Sequence, residues 1–217
     1  MKQGVYLEQE SNLQSAYFEA YRIACEKLAK CNVNEICQNS KAVFERGTNS
    51  YTLKYFGAEY NVDCINGAIS LKDSSDEVKI TEKVLILHYL INSKLEPLTG
   101  RYSSFMEIPA GGSIYYSSFK KRAIDPLVKV FSNNLQTFDK AATHLHGVPA
   151  NLGSVSTTIN VFPMIPITYV IWQGDDEIES SGTILFDASI INFLPAEDIV
   201  LAASFGSYKL IEKSNET

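Results

Sequence analysis

Residues 160–177 read NVFPMIPITYVIWQGDDE, an apolar stretch with two prolines that ends in an abrupt acidic turn. It holds the end of one predicted strand, Val155 to Phe162, and the whole of a second, Ile167 to Trp172, followed by an acidic hairpin. Hairpin signals outnumber alternation of strands with helices along the chain. We therefore expect an α+β fold with a mainly antiparallel sheet and helices packed mostly on one side. A parallel doubly wound fold is the structural alternative.

Length and composition indicate a globular chain. The 217 residues are 45% hydrophobic and 20% charged, which is close to the average for folded domains. We expect one domain over residues 1–217, with residues 1–50 as a helical N-terminal segment packed on it, and two small lobes are the alternative. The net charge of −6 repels phosphate backbones and anionic lipids. Nucleic acid and membrane surfaces are therefore not expected as partners.

The expected location is the cytoplasm. The first twelve residues carry charges and amides where a secretory signal would have an apolar core. The longest apolar run, Val84 to Ile91, is interrupted by His88 and is far shorter than the roughly 20 residues that cross a bilayer. Four cysteines without a signal peptide are expected to be reduced thiols.

The spacing of apolar residues predicts most of the remaining elements. Helices are expected over about residues 8–30, 33–43, 80–92, 119–132, 135–144 and 196–213. Pro126 implies a kink or two abutting helices within the fourth of these. A three-stranded meander is expected over residues 51–71, with Asn66-Gly67 supplying the positive φ angles of a tight hairpin turn. Residues 104–116 are expected to form two short extended pieces around a glycine turn.

Cysteine and histidine positions leave alternatives open. Cys25, Cys31 and Cys37 are six residues apart, and on one helix their thiols would point roughly 120° apart, so small buried or half-exposed thiols are favoured over a metal site. His144 and His146 precede Gly147 at a helix end, where capping by an imidazole is favoured over a bidentate site.

His88 lies in an apolar helix, where an imidazole must bond to something. A satisfied core histidine is favoured there over a cofactor ligand.

Other chemical signals are weak. The acidic group of Asp175, Asp176, Glu177 and Glu179 can supply hard oxygen ligands or a general acid and base, but a solvated hairpin is the favoured interpretation. The chain has no G-x-S-x-G motif, and Gly111-Gly112 lacks the pattern of a phosphate-binding loop. Neither nucleophilic catalysis nor a nucleotide site is expected.

Aromatic residues are plentiful around glycine and proline turns. They are Tyr102, Phe105, Tyr115, Tyr116, Phe119 and Trp172. Flat rings beside permissive loops suit a pocket for a large planar ligand, although ordinary core packing explains most of them equally well.

The order of several segments resembles an uncharacterised family, a domain of unknown function found in anaerobes. The segments are His88-Tyr89-Leu90, Gly100, Ser104-Phe105, Ile108-Pro109-Ala110-Gly111-Gly112, Phe162-Pro163-Met164-Ile165-Pro166, Trp172-Gln173-Gly174-Asp175-Asp176-Glu177, Leu185-Phe186-Asp187 and Leu194-Pro195-Ala196-Glu197-Asp198. The resemblance covers about residues 51–210. The chain departs from the expected pattern at Tyr102, Ala110 and Ile178, where Trp-like, Gly and Phe residues are expected.

The resemblance implies association with iron–sulfur and corrinoid methyl-transfer proteins. The expected function is binding or chaperoning of a tetrapyrrole, either corrinoid (cobalamin) or haem, with a corrinoid or iron–sulfur protein as partner. The alternatives are an enzyme or accessory protein of methyl-transfer metabolism and a protein–protein adaptor. The expected cofactor-binding residues are His88, His144, His146, Phe105, Tyr115 and Trp172, with His88 as the metal ligand. The chain lacks a cysteine-rich cluster module, so iron–sulfur binding is not expected.

Overall fold

The structure is a computed structural model that describes residues 2–109 and 111–216, with side chains described from residue 14 onward. Ala110, where the resemblance leads one to expect glycine, lies outside the described residues. Contacts divide the chain into two compact units, one of residues 1–53 and 58–93 and the other of residues 54–57 and 94–217. The single domain expected over residues 1–217 stays a prediction.

The first unit combines three helices with a four-stranded antiparallel sheet. Its helices are α1 (Lys2–Leu28), α2 (Val33–Ser40) and α3 (Ile80–Asn92), and its strands, in spatial order, are β1 (Val43–Glu45), β2 (Ser50–Tyr55), β3 (Ala58–Asp63) and β4 (Ile69–Leu71). The predicted N-terminal helices and the meander are confirmed, and β1 is a strand that the sequence pattern did not indicate.

The helices of this unit begin and pack as their sequences indicate. Asn32 caps α2, because its side-chain oxygen accepts hydrogen bonds from the backbone N–H groups of Asn34 and Glu35. In α3, residues 84–87 are buried, and the hydroxyl of fully buried Tyr89 donates to the carbonyl of Ser40 at 2.8 Å. α3 is therefore the buried helix that its nearly continuous apolar surface predicts.

The turn between β3 and β4 differs from the tight hairpin expected at Asn66-Gly67. Only Gly67 of this pair has a positive φ, of 71°. The carboxylate of Asp63 accepts hydrogen bonds from the backbone N–H groups of Ile65 and Asn66, and its carbonyl accepts one from Gly67. The prediction of the two-residue turn was wrong because Asp63 closes a longer loop with its own side chain.

The second unit contains a five-stranded antiparallel sheet in the order β5-β9-β8-β7-β6. Its strands are β5 (Tyr102–Ser104), β6 (Val148–Pro149), β7 (Val155–Phe162), β8 (Ile165–Trp172) and β9 (Ser181–Asp187). Its helices are α4 (Gly112–Phe119), α5 (Asp125–Phe131), α6 (Leu135–His144) and α7 (Ala196–Ser214), with 3₁₀ turns at Phe105–Glu107 and Ala188–Asn192 and a π turn at Lys120–Ile124. The α+β class with antiparallel sheets is confirmed.

Helices cover one face of this sheet. Tyr169 of β8 is fully buried, and its hydroxyl donates to the carbonyl of Ala203 in α7 at 3.2 Å. Gly182 lies on the same face, opposite Ile171, and a Cβ there would lie 2.8 Å from the side chain of Val128 in α5. Residues two apart on a strand share a face, so α5 and α7 pack on the same side of β8 and β9.

Residues 104–116 are not the two extended pieces expected from the sequence. A short 3₁₀ turn follows β5, and Gly112 begins α4. The predicted break near Pro126 is confirmed, because the π turn Lys120–Ile124 separates α4 from α5 and Pro126 lies in the first turn of α5. Proline is tolerated there because the first N–H groups of a helix have no intrahelical partner.

Candidate functional site

The segment of residues 105–119 in the second unit buries two aromatic rings and exposes three apolar side chains. Phe105 and Phe119 are each 1% exposed, and their rings stack at 4.3 Å between centroids. Met106, Ile114 and Tyr115 are 54%, 78% and 53% exposed. We call these three side chains the α4 apolar surface. Sequence reasoning identified Tyr115 but missed Met106 and Ile114, because the segment was expected to be extended.

Glycine allows this segment to fold so tightly. A Cβ on Gly112 would lie 2.0 Å from the carbonyl oxygen of Phe105, so α4 can begin directly against the 3₁₀ turn only with glycine there. Gly111 has a φ of 139°, and a Cβ there would lie 2.7 Å from the ring of Tyr115. Gly111 therefore leaves room for the ring of Tyr115, and Gly112 leaves room for the 3₁₀ turn.

The 3₁₀ turn that carries Met106 is held by a reciprocal cap. The carboxylate of Glu107 accepts hydrogen bonds from the backbone N–H of Ser104 at 2.6 Å and from its hydroxyl at 3.0 Å. These bonds lower the pKa of Glu107. Such a capping box rigidifies the start of a helical turn.

The three aromatic residues expected at a cofactor site have different environments. Phe105 belongs to the core, because it is buried and stacked on Phe119. Tyr115 reaches solvent on the α4 apolar surface. Trp172 is 42% exposed at the end of β8, where it pairs with Ser181 of β9. Tyr115 and Trp172 thus have ring surface available to a ligand.

The three histidines are divided between the two units. His88 is half-buried in α3 of the first unit and already interacts with another group of the protein. His144 and His146 are exposed in the second unit, at and just after the end of α6. Backbone N–H groups of Leu145, His146 and Gly147 bond to the last carbonyls of that helix. The imidazole of His146 lies against Gly57, whose Cβ would be 2.9 Å away.

Histidine, cysteine, aspartate and glutamate side chains are the usual protein ligands of metal ions. Across residues 2–109 and 111–216, no group of three or more His, Cys, Asp or Glu residues is arranged to hold a metal ion. The four cysteines are free. Burial raises the pKa of Cys25, Cys31 and Cys37, which favours the neutral thiol. All four thiols are partly exposed.

The acidic hairpin after Trp172 is solvated, as the favoured interpretation holds. Asp175, Asp176, Glu177 and Glu179 are all exposed. The carboxylate of Asp175 accepts hydrogen bonds from the backbone N–H groups of Glu177 and Ile178, each at 2.9 Å, and these bonds lower its pKa. Asp175 thereby closes the turn between β8 and β9.

Asp187, at the end of β9, is a buried carboxylate to which sequence reasoning gave no role. It accepts hydrogen bonds from the backbone N–H groups and the hydroxyls of Thr99 and Ser189. It also accepts one from the N–H of Gly100 at 2.7 Å. Burial would raise its pKa, but the bonds from Ser189 and Thr99 outweigh burial and lower the pKa to about 2. The sequence signal that could have indicated this role is Asp187 followed by Ser189, a pattern typical of the cap at the start of a helical turn.

Within the part of the chain that the structure describes, no helix has the length and apolar character needed to span a membrane. No match was found among curated proteins or among solved structures. The model of a family called domain of unknown function (DUF3786) matches residues 32–208, which leaves out α1 and the last turns of α7. Because the match covers most of the chain, the protein belongs to the DUF3786 family.

Proposed function

We propose that this protein binds or chaperones a tetrapyrrole, either a corrinoid or haem, in the cytoplasm. The observation that carries the proposal is the α4 apolar surface, where Met106, Ile114 and Tyr115 are each more than half exposed. Exposed apolar side chains that lie close together often mark a site for a ligand or partner, because their burial is favourable. A large flat macrocycle offers complementary apolar area.

Two further features support a tetrapyrrole over another apolar ligand. The metal of a haem or corrinoid takes an imidazole nitrogen, and the second unit has exposed imidazoles at His144 and His146. The ring of Trp172 adds a second exposed aromatic face in the same unit. The resemblance to a family that accompanies corrinoid methyl-transfer proteins also favours a tetrapyrrole as the ligand.

The first test is a titration of the purified protein with haem and with cobalamin, followed in the visible range. Binding should shift the cofactor bands, and Tyr115→Ala should weaken it by about tenfold if the ring covers the macrocycle. Tyr208→Ala is the matched control, because Tyr208 is also 53% exposed but lies on α7. No spectral change with either cofactor at micromolar concentration would contradict the proposal.

Axial ligation is tested separately with His88→Ala, His144→Ala and His146→Ala. His88 remains the first candidate from sequence, and its apolar helix gives the ring a fixed direction. The ligand is the residue whose loss returns the bands to those of the free cofactor. If all three variants keep the shifted bands, the cofactor binds through its ring faces and edges alone, and the assignment of His88 is wrong.

The second candidate function is a protein–protein adaptor, because exposed apolar side chains also mark protein interfaces. The expected partner is a corrinoid or iron–sulfur protein of methyl-transfer metabolism. Mixing the protein with such a purified partner, with and without its cofactor, and measuring complex formation by gel filtration tests this function. Tyr115→Ala should abolish the complex, whereas Tyr208→Ala should preserve it.

A further inference from the structure

A small hollow lies beside the edge strand β5, on the face of the second unit's sheet that is turned away from α7. Thr168 lies on its floor and precedes Tyr169, whose side chain faces α7, and successive residues of a strand point to opposite faces. The volume of the hollow is about 240 Å³. Pockets for drug-sized ligands hold roughly 300–1,000 Å³, so this hollow suits a smaller molecule. We call it the β5 hollow.

The loop that walls the β5 hollow is fixed by hydrogen bonds. The carboxylate of Asp187 accepts hydrogen bonds from the backbone N–H groups of Thr99 at 3.0 Å and Gly100 at 2.7 Å. The N–H of Ala188 donates to the carbonyl of Arg101 at 2.9 Å. Residues 99–101 are therefore held against the end of β9 by side-chain and backbone bonds, and the hollow exists without a ligand.

The walls of the β5 hollow are apolar where they meet solvent. Leu98 is 41% exposed, Tyr102 is 55% exposed, and Pro166 is half-buried. On the floor, the hydroxyls of Thr158 and Thr168 are 2.7 Å apart and share one hydrogen bond. The pair satisfies one hydroxyl hydrogen of the two, so the floor keeps one donor. A small apolar body placed here would cover exposed apolar surface, which is favourable.

Two opposite charges line the same hollow without an ion-pair partner. Arg101 is exposed, and within residues 2–109 and 111–216 its guanidinium forms no hydrogen bond or ion pair. Asp187 is 8% exposed and has no cationic partner in that part of the chain. Its Oδ1 accepts the four bonds from Thr99 and Ser189, whereas its Oδ2 accepts only the bond from Gly100. Oδ2 therefore keeps capacity to accept a further bond.

The two charges decide the kind of occupant. Hydrogen bonds lower the pKa of Asp187 to about 2, so the carboxylate is ionised at neutral pH. A simple carboxylic acid would bring a second negative charge to Asp187, and a simple amine would bring a second positive charge to Arg101. A ligand that carries both an ammonium group and a carboxylate meets an opposite charge at each end.

We propose that the β5 hollow binds a small zwitterion, an α-amino acid with an apolar side chain. Its ammonium group donates to Oδ2 of Asp187, and its carboxylate accepts from the guanidinium of Arg101. Its side chain lies against Leu98 and Tyr102. Charge-assisted hydrogen bonds at both ends are stronger than bonds between neutral groups. The site goes beyond the proposed tetrapyrrole function, because its residues are not those of the α4 apolar surface.

The test is an NMR titration of the full chain with three matched probes at millimolar concentration, since fragments of this size bind weakly even at good sites. Leucine carries both charges, 4-methylpentanoate lacks the amino group, and 3-methylbutylamine lacks the carboxylate. Leucine should shift the amide signals of Gly100 and Tyr102, and it should bind at least about tenfold more tightly than either analogue. Absence of shifts with leucine, or an analogue that binds as tightly as leucine, would overturn the proposal.

A charge variant with a matched control tests the carboxylate end. Arg101→Gln should weaken leucine binding by about tenfold and should not weaken binding of 3-methylbutylamine, which has no carboxylate. Arg122→Gln removes the same charge from the exposed π turn of the same unit and should leave leucine binding unchanged. Equal loss of leucine binding in both variants would mean general charge attraction and would refute the site.

The ammonium end is tested by a ratio of affinities. Asp187→Asn should abolish the preference for leucine over 4-methylpentanoate, because the two probes differ only in the amino group. Both affinities are measured on the same folded protein, so a loss of stability alone does not change their ratio. A variant that keeps the preference would refute the contact with Asp187 and the zwitterion with it. Arg101→Gln, which removes no hydrogen bond of the fold, decides the proposal independently.

Discussion

Replacing Gly206 with alanine tests how α7 packs on the sheet. Gly206 is buried in α7, and a Cβ there would lie 1.8 Å from the hydroxyl oxygen of Tyr169 and 2.6 Å from the ring carbon that bears it. Tyr169 is fully buried, so its ring cannot move into solvent. The two elements must separate, or the hydroxyl must leave the carbonyl of Ala203.

The expected cost follows from three effects. Overpacking of a core costs typically about 1–3 kcal/mol, and an overlap this deep belongs at the upper end. Loss of the hydrogen bond from Tyr169 to Ala203 adds about 1 kcal/mol. Alanine has the better helix propensity by about 1 kcal/mol, which offsets part of this. Gly206→Ala should therefore lower the free energy of unfolding by about 2–3 kcal/mol, whereas propensity alone predicts stabilisation.

Urea unfolding of four proteins measures this effect. The set is the parent, Gly206→Ala, Tyr169→Phe and the double variant. Tyr169→Phe removes the atom nearest to the new methyl group, so the double variant should recover at least about 1 kcal/mol relative to additivity. Gly47→Ala is the control, because nothing lies within 4 Å of its Cβ position, and it should change stability by less than about 0.5 kcal/mol. A Gly206→Ala protein as stable as the parent, or an additive double variant, would refute the packing argument.

Three other predictions concern single side chains. Asp187→Asn should remove a pH-dependent part of the free energy of unfolding. The pKa of Asp187 is lowered to about 2 in the folded protein, below its unfolded value of about 3.9. Its contribution is therefore complete above about pH 4 and is lost as the pH falls toward 2. Urea midpoints measured across this pH range should fall more steeply for the parent than for the variant. Trp172→Ala should lower the free energy of unfolding by about 1 kcal/mol, because the side chain of Trp172 is 42% exposed. Phe105→Ala should lower it by about 3–5 kcal/mol, because Phe105 is 1% exposed. Equal losses in urea unfolding would contradict this difference. Alkylation without reductant should label all four cysteines by mass analysis, and an intact disulfide in protein isolated from its native cells would disprove the expected reduced state.

Elements with a strong local pattern could be predicted from sequence. The helix expected at 80–92 is α3, and the strand expected from Val155 to Phe162 is β7. In both segments, apolar residues recur at the spacing typical of a helix or of a strand, and the flanking residues favour the end of the element. Pro126 likewise indicated a break that the π turn before α5 provides.

The candidate sites depended much less on local pattern. Met106 and Ile114 are exposed in a segment where Gly112 lets α4 begin against the carbonyl of Phe105, and side-chain periodicity does not record such a backbone contact. In the sequence, Thr157 is simply a β-branched residue of the kind expected in a strand. Only the structure shows that its buried hydroxyl has no hydrogen-bond partner among the described residues. In the structure, Gly147, ten residues earlier, lies close against this hydroxyl, since a Cβ there would be 2.3 Å from the oxygen.

The sequence by itself determined the α+β class, the antiparallel hairpins, most helix positions and the absence of a nucleotide or nucleophile motif. These follow from composition, from apolar periods of two and 3.6, and from glycine and proline at element ends. The tertiary structure alone decided which aromatic rings are core and which meet solvent, how the histidines are divided between the two units, and where polar groups are left without partners. Those properties arise from contacts between segments far apart in the chain, and the energy of such contacts depends on separations of a few tenths of an ångström that no local pattern encodes.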